Sequence, residues 1–335
     1  MEEMNEDVLE FYNNKRVLIT GGRGYLGSIL TNTLSRVGCK IIRVGRSGVD
    51  QSIKEIKADL TDIKGDIRDK KTWADNLEGI DFVFHFAAQT SVYKAEQDAF
   101  DDFRSNVLPM LHLLEVCKKN KWRPSILFAG TVTEAGIPNT IPVDETYPDQ
   151  PVTVYDLHKL MAEKYLRYYA NQDFVRGVVL RLANVYGPGP KSSSTDRGIL
   201  NMMMRKALEG KSLTVYGKGE FIRDYIYIED VISAFLSAAI YIRELNGKYF
   251  VLGSGKGHTI AQAINLVADR VALKAGKRVP VEHVNPPLGQ SPIEARNFVS
   301  DTQQFTQATG WQAQYSLEEG IDNTVKRLSK RITNS

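Results

Sequence analysis

A glycine cluster joins the first apolar run of the chain to the first amphipathic stretch. Residues 15–20 form the apolar run, Gly21, Gly22, Gly24 and Gly27 follow, and the amphipathic stretch covers residues 25–37. A second apolar run lies at residues 40–44. A strand, a loop, a helix and another strand within about 30 residues form the βαβ unit of a parallel sheet. This unit restricts the chain to an α/β fold.

The alternation of strand-like and helix-like segments continues through the first half of the chain. Apolar runs at 80–86, 125–129 and 177–182 alternate with amphipathic stretches at 103–119 and 157–170. Such repeated alternation is typical of a doubly wound parallel sheet, the Rossmann fold. We therefore predict an α/β protein built on that sheet.

The sequence changes in character after Asn184. Residues 186–194 are rich in Gly, Pro and Ser, which is typical of a loop. Short helix-like and strand-like segments follow at 199–208, 213–216, 232–239, 248–252, 260–273 and 279–284. The predicted organisation is an N-terminal extension at 1–14, a Rossmann domain at 15–185 and a smaller α+β lobe at 186–330 that partly returns to the main sheet.

The composition argues against several kinds of partner. The 43 basic and 40 acidic residues give a net charge of +3 without a basic stripe, which argues against nucleic acid. The first 14 residues lack the apolar core of a signal peptide, and no apolar run is long enough to predict a membrane span. Cys39 and Cys117 lie in apolar contexts, and the five histidines lack metal-ligand spacing. We expect a cytoplasmic protein with reduced thiols and no metal.

The glycine cluster has the spacing of a dinucleotide-binding turn. One glycine allows the tight turn, another lets the backbone approach a pyrophosphate, and Gly27 permits close packing of the helix on the strand. The N-terminus of the helix offers amide donors to the phosphates. The residues assigned to the cofactor are Gly21, Arg23, Gly24, Tyr25, Leu26 and Gly27. A purely structural turn is the alternative.

The end of the second strand distinguishes NADP from NAD. NAD-binding chains usually have Asp or Glu there, which accepts hydrogen bonds from the ribose hydroxyls. Here Gly45 leaves space, and Arg46 and Ser47 offer a cation and a hydroxyl to a 2′-phosphate. NADP(H) is favoured, and NAD(H) stays open because Arg46 is also explained as an ordinary solvated side chain.

Two further segments fit the same site. Asp66 and Ile67 follow a glycine and are candidates for contact with the adenine. Phe86, Ala87 and Ala88 end a predicted strand, and the two alanines form a wall of small side chains beside a cofactor.

Tyr155 and Lys159 stand four residues apart at the start of a predicted helix, so both side chains project from one face. A lysine cation lowers the pKa of a nearby phenol, which then donates and accepts protons near neutral pH. Hydride transfer to a carbonyl needs such a group, and we expect Tyr155 and Lys159 to contact the cofactor as well. Thr131, at a strand exit, is the candidate that orients the substrate oxygen, with Thr133 as the fallback. Capping of the local backbone is the alternative role for Thr131.

These motifs, in this order, resemble those of the extended short-chain dehydrogenase/reductases, the NAD-dependent epimerase/dehydratase family. The resemblance covers about residues 15–330 and includes TGGRGYLG at 20–27, YDLHK at 155–159, LRLANVYGPG at 180–189 and RDYIYIEDV at 223–231. It implies that residues 15–185 bind NAD(P) and carry the catalytic residues, and that residues 186–330 mainly bind a nucleotide-sugar. It also implies a possible homodimer through the helices at 103–119 and 157–170.

Within that family the chain looks most like the NADPH-dependent 4-ketoreductases of deoxysugar biosynthesis, on the segments at 128–136 and 196–200. The dehydratases of the family have an Asp-Glu pair after the catalytic threonine, where this chain has Val132 and Thr133. The 4-epimerases typically have a serine-rich strand exit that ends in Val-Tyr-Gly, where this chain has Glu-Ala-Gly at 134–136. Dehydration is therefore disfavoured, and epimerisation remains the alternative.

The resemblance also implies the residues that contact the substrate. Asn184 would contact the diphosphate through its amide, and Arg223 and Arg296 would neutralise the phosphates, since guanidinium forks match phosphate oxygens. Salt bridges with Asp224 and Glu294 are the alternative role for these arginines.

Two further residues are assigned to the substrate side, and the resemblance implies a catalytic role for Asn106. Arg197, in the polar loop 187–198, would reach the ligand, and Thr133 would stand near it together with Thr131. Asn106 would orient Lys159 through water, or else be a satisfied polar residue within a helix.

The sequence thus favours NADPH-dependent reduction of the C4 keto group of a nucleotide-activated 4-keto-6-deoxy sugar. The alternative is a nucleotide-sugar 4-epimerase, which oxidises and re-reduces one carbon and consumes no reduced cofactor. A catalytically inactive cofactor-binding or sensor protein is the third hypothesis. The intact set of Thr131, Tyr155 and Lys159 argues against it.

Overall fold

The first predicted strand lies inside a parallel sheet. The structure, a computed structural model, describes residues 6–46, 57–190 and 198–332. Within these ranges seven strands form the central sheet, and each neighbouring pair is parallel. In spatial order they are β10 (Tyr249–Leu252), β6 (Arg176–Leu182), β5 (Ser125–Thr131), β4 (Phe82–His85), β1 (Arg16–Thr20), β2 (Lys40–Gly45) and β3 (Asp59–Lys64). The order from β3 to β6 is that of the Rossmann fold, so the predicted fold class is confirmed.

Helices cover both faces of this sheet because successive side chains of each strand point to opposite faces. Val17 and Ile19 of β1 pack in one apolar cluster with Leu30, whereas Leu18 packs in a second cluster with Leu113. The helices are α1 (Glu6–Glu10), α2 (Tyr25–Leu34), α3 (Lys70–Ala74), α4 (Val92–Gln97), α5 (Ala99–Asn106), α6 (Leu108–Asn120), α7 (Val154–Asn171), α8 (Ile199–Leu208), α9 (Ile228–Ile240), α10 (Ile242–Leu245), α11 (Ile260–Ala275), α12 (Gln303–Thr309) and α13 (Leu317–Ile332). None of these helices combines the length and the apolar character that a membrane span needs.

The second half of the chain contributes smaller elements. Its short strands form two further sheets, β11 (Gly257–Thr259) with β9 (Ile222–Tyr227) and β7 (Asn184–Tyr186), and β12 (Val281–Val284) with β8 (Leu213–Tyr216). The strand β10 joins the edge of the main sheet beside β6. The division into residues 15–185 and 186–330 remains a proposal. The strand β10 belongs to residues 186–330 but lies in the main sheet.

One segment differs from the sequence prediction. The helix predicted at 103–119 is divided into α5 and α6, because Pro109 lies in the first turn of α6 and has no amide hydrogen to continue a helix. The segment predicted as an N-terminal extension packs on the core. Tyr12 is fully buried there, and its hydroxyl donates a 2.9 Å hydrogen bond to the carbonyl oxygen of Leu236.

Candidate active site

The glycine cluster forms a tight turn between β1 and α2. Gly21 has a φ of +65°, which favours glycine, and its carbonyl oxygen accepts a 2.7 Å hydrogen bond from the amide of Gly24. A Cβ on Gly27 would lie 2.2 Å from that same oxygen, so only glycine fits there. Tyr25 and Leu26 form the first turn of α2, and Gly24 before them has no side chain with which to cap the helix. The amides at this end therefore suit a phosphate ligand.

The predicted wall at residues 86–88 lies beside the glycine turn. The hydroxyl oxygen of Thr20, at the end of β1, accepts 3.1 Å hydrogen bonds from the amides of Phe86 and Ala87 and lies 2.8 Å from Nδ1 of His85. Burial lowers the pKa of His85 to about 3, with a contribution from the charge of Lys159, so the imidazole is neutral. A hydroxyl accepts two hydrogen bonds and donates one, so Thr20 donates to Nδ1 of His85.

Two arginines meet one carboxylate at the end of β2. Arg43 is buried and forms a bidentate pair with Asp62 of β3, at 2.8 and 2.7 Å, and Arg23 lies 2.9 Å from the same carboxylate. Partial burial alone would raise the pKa of Asp62, but hydrogen bonds and charges from both arginines outweigh it and lower that pKa. Arg46 is exposed at the end of the strand, and Ser47 lies outside the described residues.

The predicted adenine-contact residues follow β3. The guanidinium of Arg68 lies on the carboxylate of Asp66 with Nη2 at 2.7 Å from Oδ2, and this hydrogen bond lowers the pKa of Asp66. The charge of Arg46 contributes to the same shift. The carbonyl oxygen of Ile67 accepts a 2.8 Å hydrogen bond from the indole of Trp73. Since the strands are parallel, this segment ends at the same sheet edge as the glycine turn.

Tyr155 and Lys159 are both buried in the first turns of α7. Thr153 caps the helix by accepting the amide hydrogen of Asp156 at 3.2 Å. The ammonium of Lys159 donates a 2.6 Å hydrogen bond to the carbonyl oxygen of Ala129. Burial lowers the pKa of Lys159 to about 8, although the carboxyl groups of Glu134, Asp102 and Glu163 oppose the fall. A lysine that titrates near neutral pH therefore lies against the exit of β5.

Thr131 ends β5 and begins a 3₁₀ turn, Val132–Ala135. Its hydroxyl accepts a 3.3 Å hydrogen bond from the amide of Thr133 and lies 2.9 Å from the hydroxyl of Thr133. Its amide donates a 3.0 Å hydrogen bond to Oε1 of Glu134, which completes a capping box. The predicted capping role is therefore present. The helix α7 packs on this turn and on β5.

Asn106 holds the segment after β4. Its Oδ1 accepts the amide hydrogen of Gln89 at 3.0 Å, and its amide nitrogen donates to the carbonyl oxygen of Gln89 at 3.0 Å and to Asp102 at 2.9 Å. Asp102 also lies 2.7 Å from Nδ1 of His158. Both side-chain amide hydrogens of Asn106 are thus used. A water that orients Lys159, as predicted, would have to donate to the remaining lone pair of Oδ1 of Asn106.

The three residues predicted to bind a diphosphate, Asn184, Arg223 and Arg296, come together. Arg197, predicted to reach the ligand, lies outside the described residues. Arg296 is buried, and its Nη2 donates a 3.3 Å hydrogen bond to Oδ1 of Asn184, the first residue of β7. Arg223 is buried beside it and donates to the carbonyl oxygens of Glu294, at 2.8 Å, and of Arg296. The carboxylate of Glu294 lies 3.6 Å from Arg223, so that predicted salt bridge is present. Asp224 instead accepts the amides of Ser254 and Ser300.

Two features escaped the sequence prediction. The hydroxyl of Tyr25 donates a 2.9 Å hydrogen bond to the carbonyl oxygen of Gly187 and accepts one from Asn201 at 2.8 Å, which fixes the glycine turn to the start of the second half. Behind Thr131, Arg181 of β6 meets buried carboxyl groups that include Glu134 and Glu163. The sequence signal for this cluster was a charged residue within an apolar strand, Arg181 in β6, and another on the apolar face of a helix, Glu163 in α7. In the described ranges no set of three or more metal-ligating side chains comes together.

Comparisons with known proteins cover almost the whole chain. The NAD dependent epimerase/dehydratase family matches residues 17–253. A curated relative, the putative UDP-glucose 4-epimerase of Methanocaldococcus jannaschii, is 28% identical over 314 residues, 92% of this chain and 97% of the relative.

Two solved structures at 29% identity have the same fold. The UDP-glucose 4-epimerase of Thermotoga maritima, solved with UDP-glucose, has a TM-score of 0.83 and covers 95% of this chain and 99% of its own. The UDP-glucose 4-epimerase of Thermus thermophilus, solved with NAD, has a TM-score of 0.78 and covers 94% of this chain and 99% of its own.

Proposed function

The chain belongs to the NAD-dependent epimerase/dehydratase family, and from that premise we propose that it is a nucleotide-sugar 4-epimerase. The full-length likeness to UDP-glucose 4-epimerases favours this function over the reduction that the sequence favoured. The observation that carries the proposal is the placement of Tyr155 and Lys159 in the first turns of α7, packed on the strand exit that bears Thr131. Epimerisation and reduction both include the delivery of hydride to a keto group at carbon 4, so both would use these residues.

The glycine turn fits a nicotinamide dinucleotide. A Cβ at Gly21 would lie 3.0 Å from the amide nitrogen of Ala87, and one at Gly27 would clash with the turn, so the glycines keep a close-packed cradle at the start of α2. When bound, the dinucleotide supplies the hydride acceptor and donor for carbon 4. We assign to it the residues of the turn, together with Arg46, Asp66, Ile67 and residues 86–88.

The catalytic residues move a proton at the sugar O4. Tyr155 accepts the O4 proton as the C4–H bond is broken and returns it when hydride is delivered to the other face of the keto carbon. The cation of Lys159 stabilises the phenolate, and its hydrogen bond to the carbonyl oxygen of Ala129 keeps the ammonium at the exit of β5. Thr131 holds the substrate oxygen. Proton transfer by a positioned side chain contributes about 100- to 10,000-fold to the rate.

The diphosphate of the substrate would bind at Asn184, Arg223 and Arg296. The two guanidiniums are buried within one small region, and the planar guanidinium group matches phosphate oxygens. Their hydrogen bonds to backbone carbonyls fix their orientation before the ligand arrives. The Ser/Thr-rich loop with Arg197 precedes α8 in the sequence and remains part of this proposal.

A second candidate is NADPH-dependent reduction of a 4-keto-6-deoxy sugar nucleotide. The observation that favours it is the set of arginines at the end of β2. Asp62, the acidic group that lies there, is already paired with Arg43 and Arg23, so it is a poor acceptor for ribose hydroxyls. Positive charge from Arg23 and Arg46 suits a 2′-phosphate.

The stoichiometry of the reduced cofactor separates the two functions. The purified chain is incubated with UDP-glucose and NAD, and separately with a 4-keto-6-deoxy sugar nucleotide and NADPH or NADH. An epimerase interconverts the 4-hydroxy epimers without net change in nicotinamide absorbance. Stoichiometric loss of NADPH, without epimer formation, would instead establish the reductase. Turnover in either assay would exclude an inactive sensor protein.

A further inference from the structure

Three carboxyl groups share one buried guanidinium behind the exit of β5. Nε and Nη2 of Arg181 donate 2.8 Å hydrogen bonds to the two oxygens of Glu163 on α7. Nη1 of Arg181 lies 2.7 Å from Asp149, and Nε also lies 3.0 Å from Oε2 of Glu134. The side chains of Glu134 and Glu163 are fully buried. The two glutamates therefore approach the same nitrogen and each other.

The two oxygens of Glu134 have different surroundings. Oε1 accepts the amide hydrogen of Thr131 at 3.0 Å. Oε2 is buried without a hydrogen-bond donor among the described residues, since Nε of Arg181 directs its hydrogen at Glu163. Two adjacent carboxylates in a dry site do not both ionise. A proton on Oε2 that donates to Glu163 would satisfy this atom and remove the repulsion.

Burial and the neighbouring carboxyl group act on Glu134 in the same direction. Burial raises the pKa of Glu134 well above its ordinary value, and Glu163 adds to the shift, while Arg181 opposes it. Two further cations lie at the rim of the cluster, Arg167 on Glu163 and Lys164 on Asp149, and His158 lies on Asp102.

We propose that Glu134 is a protonated positioning residue, which shares its proton with Glu163 and holds the backbone of Thr131 in place for the substrate oxygen. Its role rests on the proposed function, because that function places Thr131 at the reacting oxygen. A neutral Glu134 also removes one of the anions that raise the pKa of Lys159.

Two substitutions distinguish a protonated Glu134 from an ionised one. Glu134→Gln keeps an oxygen for the amide of Thr131 and an N–H group for Glu163, so we expect kcat and its pH profile to stay close to those of the unaltered protein. Glu134→Ala removes both contacts, and we expect kcat to fall about 10- to 100-fold with little change in KM, because the reacting oxygen is misplaced.

Glu145 provides a matched control. Its Oε1 accepts the amide hydrogen of Val251 in the same sheet at 2.7 Å, and burial raises its pKa, but its hydrogen bond is made to β10 and not to Thr131. Both Glu145→Ala and Glu134→Ala should lower the thermal stability, but Glu145→Ala should leave kcat unchanged. Equal loss of kcat in the two alanine variants would mean that Glu134 is only structural and would overturn the proposal.

Infrared difference spectra test the proton without any turnover. The unaltered protein should show the carbonyl band of a protonated carboxylic acid at neutral pH, and Glu134→Gln should remove it, whereas Glu145→Gln should leave that band in place. Absence of a band from Glu134, or a loss of kcat in Glu134→Gln as large as in Glu134→Ala, overturns the proposal. A band without turnover in any assay supports the proton and counts against the proposed function alone.

Discussion

The ammonium of Lys159 and the backbone carbonyl oxygen of Ala129 are joined by a 2.6 Å hydrogen bond that connects α7 to the exit of β5. The aromatic ring of Phe128 lies under the same nitrogen, with its centroid at 3.9 Å. A cation over a ring face is stabilised, and this offsets part of the cost of burying the charge. Lys159 is therefore held in one position while its proton remains labile.

The pH dependence of the reaction should report this lysine. Burial lowers the pKa of Lys159 to about 8, so the cation that stabilises the phenolate is present below that pH and is lost above it. We expect kcat/KM to fall as the pH rises through about 8. In Lys159→Arg the charge persists at every accessible pH, so the variant should have lower activity without this alkaline limb. An unchanged limb in that variant would assign the titration to another group.

Replacement of the proton donor should separate catalysis from binding. We expect Tyr155→Phe to lower kcat about 100- to 10,000-fold, because the phenol that exchanges the O4 proton is removed. Tyr168→Phe is the control, since Tyr168 lies on the same helix and is 60% exposed. Steady-state rates and titration of nicotinamide fluorescence measure the two effects. Near-normal turnover in Tyr155→Phe would remove Tyr155 from the mechanism.

The sequence predicted those strands of the central sheet that are buried on both faces. The runs that became β1 and β4 are apolar at residues 17–19 and 82–84, and β6 is apolar at residues 178–180, as expected for strands that are buried on both sides of a parallel sheet. The edge strand β3 is half-exposed and has Leu60 and Ile63 among polar and charged residues, so no apolar run marked it. The break between α5 and α6 was marked only by Pro109 within an otherwise amphipathic stretch.

The site was predictable to the extent that its residues are close in sequence. The spacing of Tyr155 and Lys159 and the glycine turn could be recognised locally. Asp62 could not be assigned to the cofactor end of β2, because its pairing with Arg43 depends on the register of β2 and β3. The contact of Tyr25 with Asn201 joins residues that are 176 positions apart, so no local pattern in the sequence predicts it.

Cofactor preference should depend on Arg46. A hydrogen bond to a charged group contributes about 1.5–3 kcal/mol, so Arg46→Ala should weaken NADPH binding about 10- to 100-fold and leave NADH binding nearly unchanged. Lys64→Ala, at the exposed end of the neighbouring strand β3, controls for a general loss of positive charge. Fluorescence titrations give both dissociation constants. Equal weakening in the two variants would argue that Arg46 does not contact the 2′-phosphate.

The glycine turn should tolerate no side chain where α2 meets β1. A Cβ on Gly27 would lie 2.2 Å from the carbonyl oxygen of Gly21, and that oxygen belongs to backbone that cannot move away without opening the turn. We expect Gly27→Ala to lower the free energy of unfolding by about 1–3 kcal/mol and to abolish stabilisation by NAD(P). Gly38→Ala is the control, because the nearest neighbour of a Cβ there is the side chain of Asn13 at 3.4 Å. Thermal unfolding with and without the dinucleotide measures both effects. If Gly27→Ala were still stabilised by the dinucleotide as the unaltered protein is, the pyrophosphate would have to bind elsewhere than on this turn.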